Sequence, residues 1–184
     1  PIQAQTIPVT LKGRDVMGLA QTGTGKTAAF VLPMLQRFID SAPQGKNRRV
    51  RGLIVSPTRE LAEQTRSDIL TLGKKTGIKS VSIYGGVSMN PQIQKLEAGV
   101  DIIVACPGRL LDHLGQKTVD LRSVEVLVLD EADRMLDMGF MPDIRRILKR
   151  VPKKRQTMLF SATMPDDIRK LANDILHKPE TVQI

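Results

Sequence analysis

A mostly parallel, doubly wound α/β sheet of about seven strands is the fold this sequence predicts, on two observations. Short apolar, β-branched runs alternate along the chain with longer segments of helical period, and four of the seven runs are almost continuously apolar. Continuous apolarity marks strands covered on both faces, and strand–helix alternation brings successive strands into one sheet through right-handed crossovers. The strand candidates are residues 16–20, 53–55, 81–84, 102–105, 126–129, 157–160 and 181–184. Between them, Leu61, Thr65, Ile69 and Leu72 recur loosely at helical spacing, as do Ile144, Ile147, Leu148 and Val151. Ile168, Leu171, Ala172, Ile175 and Leu176 follow the i, i+3, i+4, i+7, i+8 pattern of an amphipathic helix.

The 184 residues suit one domain, and 41% hydrophobic content supplies a core without disulfides or metals. With a single cysteine, Cys106, no internal disulfide is available, which fits a reducing, cytoplasmic setting. His113 and His177 lie far apart and have no cysteine cluster beside them, which argues against structural zinc. No apolar run reaches the length of a membrane span, so no membrane role is expected. A net charge of +9 favours a polyanionic partner. The stretch from Ser41 to Arg51, with Pro43, Gly45, Lys46, Arg48 and Arg49, reads as an exposed loop.

Ala20-Gln21-Thr22-Gly23-Thr24-Gly25-Lys26-Thr27 follows an expected strand and opens an expected helix, which is the context of a phosphate-binding loop. Glycines let the backbone turn and present its N–H groups to phosphate oxygens, and the helix N-terminus adds partial positive charge. Lys26 is expected to reach the β- and γ-phosphates of a nucleotide, and Thr27 to offer its hydroxyl to Mg²⁺. Ala20 stands where such loops usually carry their first glycine, which is harmless if its φ is negative.

A second strand end, Val126 to Leu129, runs into Asp130-Glu131-Ala132-Asp133. Three carboxylates at the carboxyl end of a parallel strand repel one another unless a cation is near. Asp130 suits Mg²⁺, directly or through water, and Glu131 is placed to orient or deprotonate an attacking water. Without the loop at Lys26, the same acids would read as helix caps.

With Lys26 and Asp130 in place, further segments fall into an order that resembles the DEAD-box ATP-dependent RNA helicases of superfamily 2. They are Pro1-Ile2-Gln3, Pro57-Thr58-Arg59-Glu60-Leu61-Ala62, Gly85-Gly86, Pro107-Gly108-Arg109, the D-E-A-D tetrad itself and Ser161-Ala162-Thr163. The resemblance spans the whole chain, and Asp130 to Phe140 further resembles the bacterial RhlE-like branch. It implies an N-terminal RecA-like domain that binds ATP and Mg²⁺ through residues 21–27, with catalysis by Lys26, Asp130 and Glu131. Gln3 would read adenine, and Asp133, Ser161 and Thr163 would couple the nucleotide to domain closure. Pro57, Thr58, Arg59, Gly86, Gly108 and Arg109 would hold an RNA backbone, independent of sequence. Turns at strand ends present free N–H groups, and two of these residues are arginines suited to phosphate, so the residues themselves favour the same role. As local sequence, however, Gly85-Gly86 and Pro107-Gly108 are also ordinary turns.

The sequence departs from the family in placing Cys106, rather than threonine, before Pro107. It also opens with Pro1, inside the glutamine motif, so the family's adenine-stacking aromatic is missing and the chain reads as a fragment. The second RecA-like domain, whose arginines complete the family's ATP site, is expected to belong to the same protein beyond Ile184, leaving this chain alone largely inactive. Two other classes were weighed. A GTPase would carry an Asn-Lys-x-Asp segment and a small-molecule kinase an arginine-rich lid; neither is found. A non-enzymatic nucleic-acid module leaves Lys26, Thr27, Asp130 and Glu131 unexplained. Met135, Met138 and Met141 read as core filler. With four Phe, one Tyr and no Trp, RNA contact is expected through backbone and shape rather than stacking.

Overall fold

A computed structural model describes residues 2–41 and 48–183. Pro1, the middle of the loop expected over 41–51, and Ile184 at the end of the last expected strand lie outside the described residues.

Seven strands form one parallel sheet: β1 (Val16–Leu19), β2 (Gly52–Val55), β3 (Ser80–Ile83), β4 (Ile102–Ala105), β5 (Val126–Leu129), β6 (Gln156–Ser161) and β7 (Glu180–Gln183). Their spatial order is β3-β4-β2-β5-β6-β1-β7. Side chains alternate between two cores, as the period of a strand demands. Leu53, Val55, Ile103, Ala105, Leu127 and Leu129 enter one core, and Ile54, Ile102, Val104, Val126 and Val128 enter the other.

Helices α1 (Ile2–Leu11), α2 (Lys26–Asp40) and α3 (Arg59–Leu72) cover the second core. Helices α4 (Met89–Ala98), α5 (Pro107–Gly115), α6 (Ala132–Asp137), α7 (Met141–Leu148) and α8 (Asp166–Ile175) cover the first. The crossovers through α2 and α3 move one way along the sheet, and those through α4 to α8 move the other. Opposite directions over opposite faces keep a single handedness. Neighbouring strands β1 and β6 therefore send their chains to opposite faces, which opens a crevice at their carboxyl ends, where α/β sheets bind ligands.

All seven expected strands are present. The helices differ in detail. α3 buries Ala62, Thr65 and Ile69, whereas Leu72 is exposed and lines a surface cleft between α3 and the start of α2. Met135 is core, as expected, but Met138 is exposed at a helix end. Arg51 is not a loop cation. It is buried, its guanidinium lies 4.5 Å from the Phe38 ring centroid, and it donates to Glu125, to Ser41 and to the Phe38 carbonyl.

β1 packs tightly on β6. A Cβ added to Gly18 would fall 2.4 Å from the Phe160 ring, which also stacks tilted against Phe30 with centroids 5.4 Å apart. Glycine is required at 18 by this close approach, and the packing fixes the height at which the loop after β1 leaves the sheet.

Candidate functional site

The loop from Ala20 to Gly25 leaves β1 and turns into α2 through two left-handed glycines, Gly23 (φ 86°) and Gly25 (φ 80°). Thr24 Oγ1 donates to the Gln21 carbonyl at 2.8 Å and closes the turn. Lys26 is the first residue of α2 and is buried. Its Nζ lies 2.9 Å from Asp130 Oδ1 and 3.9 Å from Glu131 Oε1. The two motifs expected to act together, about a hundred residues apart in sequence, thus meet at the carboxyl ends of β1 and β5. A cleft of about 360 Å³ opens beside them, lined in part by Thr22, Gly23, Gly25, Lys26, Thr27 and Glu131.

Asp130 is fully buried, and burial pushes its carboxyl up from the ordinary value while the charge of Lys26 pulls it down. Oδ1 also accepts from the Glu131 N–H at 3.0 Å, whereas Oδ2 is buried without a hydrogen-bond partner. Glu131 sits in the left-handed region (φ 50°, ψ 53°), a strained conformation for a side chain of this length. Its carboxylate is held by Thr22 Oγ1, which donates to Oε1 at 2.9 Å, and more loosely by Arg134, 3.4 Å from Oε2. This link between the loop and the acid was not anticipated, because nothing in sequence spacing pairs Thr22 with Glu131.

Asp133, Ser161 and Thr163 form one hydrogen-bonded knot between the start of α6 and the end of β6. Ser161 Oγ donates to the Thr163 carbonyl at 2.6 Å and accepts from the Asp133 N–H at 3.2 Å. Thr163 donates through both its N–H (3.0 Å) and its hydroxyl (2.9 Å) to Asp133 Oδ2. Burial raises the Asp133 carboxyl, but the donors from Thr163 and the Arg134 N–H outweigh it and hold it below the ordinary value. Gln3, on α1, donates through Nε2 to the Gly25 carbonyl at 3.1 Å, so the glutamine is tied to the glycine loop itself.

The remaining site candidates lie at the carboxyl ends of β2, β3 and β4, on the same edge of the sheet. Thr58 caps α3, its Oγ1 accepting from the Leu61 N–H at 3.2 Å, which commits the hydroxyl locally. Pro57 is buried beside it. Arg59 is exposed, with its guanidinium 4.8 Å from the Tyr84 ring centroid. Gly86 (φ 78°) and Gly108 are exposed, with open space where a Cβ would stand. The Arg109 side chain is mostly buried, 12% exposed, and lies 3.8 Å from Asp112 and 3.4 Å from Gln92 Oε1.

Gln92 and His113, to which no motif assigns a site role, join these turns. Gln92 Nε2 donates to the Tyr84 carbonyl at 2.9 Å, and its Oε1 also lies 2.9 Å from Nε2 of the buried His113. Thr118 Oγ1 stands 2.7 Å from His113 Nδ1. Since Gln92 Oε1 only accepts, Nε2 carries the imidazole proton. Cys106 is a half-buried thiol pushed up to about 11 by burial and by Glu60, so little of it ionises near neutral pH.

The family profile of the DEAD/DEAH box helicases matches residues 1–171 of this chain. The chain belongs to that family. Among relatives of the DEAD-box chain are the DEAD-box ATP-dependent RNA helicase CshA of Streptococcus pneumoniae, 49% identical over 184 residues, and the ATP-dependent RNA helicase CshA of Listeria monocytogenes, 50% identical. Each alignment covers all of this chain and 34% of the relative, so the chain spans about a third of the length of these curated relatives. A crystal structure of a hypothetical ATP-dependent RNA helicase from Sulfolobus tokodaii superposes with a TM-score of 0.89 at 40% identity, covering all of this chain and 52% of that one.

Proposed function

We propose that this chain is the N-terminal RecA-like domain (residues 1–184) of an ATP-dependent RNA helicase, and that it binds ATP with Mg²⁺ in the cleft beside Lys26. The observation that carries the reading is the Lys26–Asp130 pair at the mouth of the glycine loop, together with the buried, unpartnered Oδ2 of Asp130. A carboxylate oxygen without a donor suits a hard cation, and Thr27 lines the cleft beside Lys26. Among the described residues no cluster of three or more His, Cys, Asp or Glu forms a protein-only metal cage. Mg²⁺ is ordinarily held by one or two protein oxygens, water and substrate phosphates rather than by such a cage. When bound there, Mg²⁺ neutralises phosphate charge.

The chain's own residues divide the remaining work. The N–H groups of residues 21–27 face the phosphates, and Lys26 moves between Asp130 and the β- and γ-phosphates. Glu131, fixed in its strained conformation by Thr22, orients and deprotonates the attacking water. The Asp133–Ser161–Thr163 knot is the coupling element. Pro57, Thr58, Arg59, Gly86, Gly108 and Arg109 take the RNA backbone at the carboxyl ends of β2 to β4. Gln3 keeps one amide N–H and its oxygen beyond the bond to Gly25, enough to address the donor–acceptor edge of adenine. A cytoplasmic location goes with this reading. Among the described residues no helix is long and apolar enough to cross a membrane.

Calorimetric titration tests the proposal. Lys26→Ala is expected to weaken ATP by roughly 10- to 100-fold, the worth of a hydrogen bond to a charged group, and to leave AMP nearly unchanged. Chelating Mg²⁺ and Asp130→Asn are each expected to weaken ATP by overlapping amounts. Equal losses for ATP and AMP on Lys26→Ala would remove the phosphate-loop assignment.

A further inference from the structure

Because all seven strands are parallel, every loop entering a strand lies along one edge of the sheet and every loop leaving one lies along the other. Charge divides unevenly between these edges. The leaving edge carries Lys26, Arg59, Arg109 and Arg134, but its acids, from Glu60 through the Asp130 tetrad to Asp166 and Asp167, outnumber them. On the entering edge, the loop before β6 carries Lys149, Arg150, Lys153, Lys154 and Arg155 and no acid. The loop before β3 carries Lys74, Lys75 and Lys79, and that before β2 carries Arg48 and Arg49 ahead of the buried, Glu125-paired Arg51, again without an acid. Among the described residues, and leaving the buried Arg51 aside, these three loops hold ten cations and no acid, so basic charge gathers on the edge opposite Lys26.

The entering-edge cations also enclose space. A cleft of about 600 Å³ is lined by Arg48, Arg49, Val50, Asp120, Arg122 and Ser123. A second, of about 300 Å³, shares Asp120 and Arg122 with the first and adds Lys117 and Arg150, over an apolar floor of the buried Leu114 and Leu121 and the half-buried Val119. They lie before β2, β5 and β6, which are consecutive in the sheet. Asp101 and Asp120 engage Arg48 and Arg122, whereas Arg49, Lys117 and Arg150 are exposed with no carboxylate partner among the described residues.

We propose that this entering edge is a second nucleic-acid surface, taking an RNA phosphate backbone through Arg49, Lys117 and Arg150. The inference rests on the reading that the protein works on RNA, but not on which strand-end turns contact it. An acidic protein is the weaker candidate. Protein interfaces need apolar anchors, and none of the large exposed apolar side chains among the described residues lines either cleft. Guanidinium forks without apolar anchors suit repeated phosphates.

The test is fluorescence anisotropy of the purified chain with a labelled single-stranded RNA of mixed sequence, over a series of salt concentrations. One variant combines Arg49→Gln, Lys117→Gln and Arg150→Gln. A second, Arg169→Gln, Lys170→Gln and Asn173→Asp, removes the same three units of charge from the exposed face of α8. A third combines Arg59→Gln and Arg109→Gln. The first is expected to bind at least tenfold more weakly, with a salt slope shallower by about 2, three phosphates at roughly 0.7 each. The second is expected to change affinity less than about twofold. Equal losses in the first two variants overturn the proposal in favour of diffuse charge. Loss in the third variant alone also overturns it, while leaving the proposed function standing. Unchanged RNA affinity with lost polyglutamate binding in the first variant overturns it in favour of an acidic protein. Absence of RNA binding by the unaltered chain at low salt overturns both readings.

Discussion

His113 shows how a single side chain here sets both order and pH dependence. Burial, with a smaller contribution from the charge of Arg109, holds its imidazole below the ordinary 6.5. Over that interval the unfolded chain binds a proton that the folded chain does not, so stability rises with pH. Its contribution is therefore complete above about pH 6.5 and is lost as pH falls below that value. Chemical denaturation at pH 7.5 and 5.5 checks this: the unaltered chain is expected to lose stability on acidification, and His113→Gln to lose less. A variant with the same pH dependence would place the titrating group elsewhere. Gln92→Ala strands the His113 N–H and frees Arg109, and is expected to cost about 1–3 kcal/mol in the same measurement. At the other end of the site, Gln3→Ala is expected to lower the ratio of ADP to GDP affinity. Guanine places an acceptor where adenine has its amine, so an unchanged ratio would show that Gln3 only braces Gly25.

At the scale of elements, two glycines separate packing from turn geometry. Gly18 lies in β1 with the Phe160 ring where a Cβ would go, whereas Gly85 meets open space at an ordinary φ. Gly18→Ala is expected to destabilise by about 1–3 kcal/mol, the range for overpacking a core, and to disturb the loop that β1 launches. Gly85→Ala is expected to change stability by no more than about 0.5 kcal/mol. Thermal unfolding of the two variants side by side decides it, and a neutral Gly18→Ala would mean that Phe160 turns aside freely. The seven strands were legible in sequence because buried parallel strands are continuously apolar, and the glycine loop and acidic tetrad because their chemistry is local. α1 was not legible, since Pro8 lies within it and its apolar residues do not collect on one face. The Gln92–His113 bridge and the Thr22–Glu131 bond were hidden too. They join residues whose pairing depends on strand order, and no periodicity encodes strand order. The basic surplus was visible in the composition, but only the parallel sheet assigns it to one edge.

For the whole molecule, the decisive quantity is turnover. The chain brings a glycine loop, a buried lysine–aspartate pair and a strained glutamate to one crevice, and the curated relatives are about three times as long. The proposed partner is a second RecA-like domain of the same protein, closing over the cleft and supplying arginines to the phosphates. An arginine of this kind contributes 10³–10⁵ in rate, roughly 4–7 kcal/mol of transition-state stabilisation. This chain alone is therefore expected to bind ATP but to hydrolyse it at least about a thousandfold more slowly than a two-domain relative at saturating RNA, and not to separate duplexes. Steady-state phosphate release, with and without RNA, measures the difference. Supplying the second domain as a separate polypeptide is expected to restore part of the rate in a concentration-dependent way. Glu131→Gln in the same mixture should abolish the restored rate while leaving ATP binding intact, since the role proposed for Glu131 is on water rather than on the nucleotide. Comparable turnover by the single chain would mean that Lys26, Asp130 and Glu131 suffice for catalysis, and that the strained glutamate is already in its working position without a second lobe.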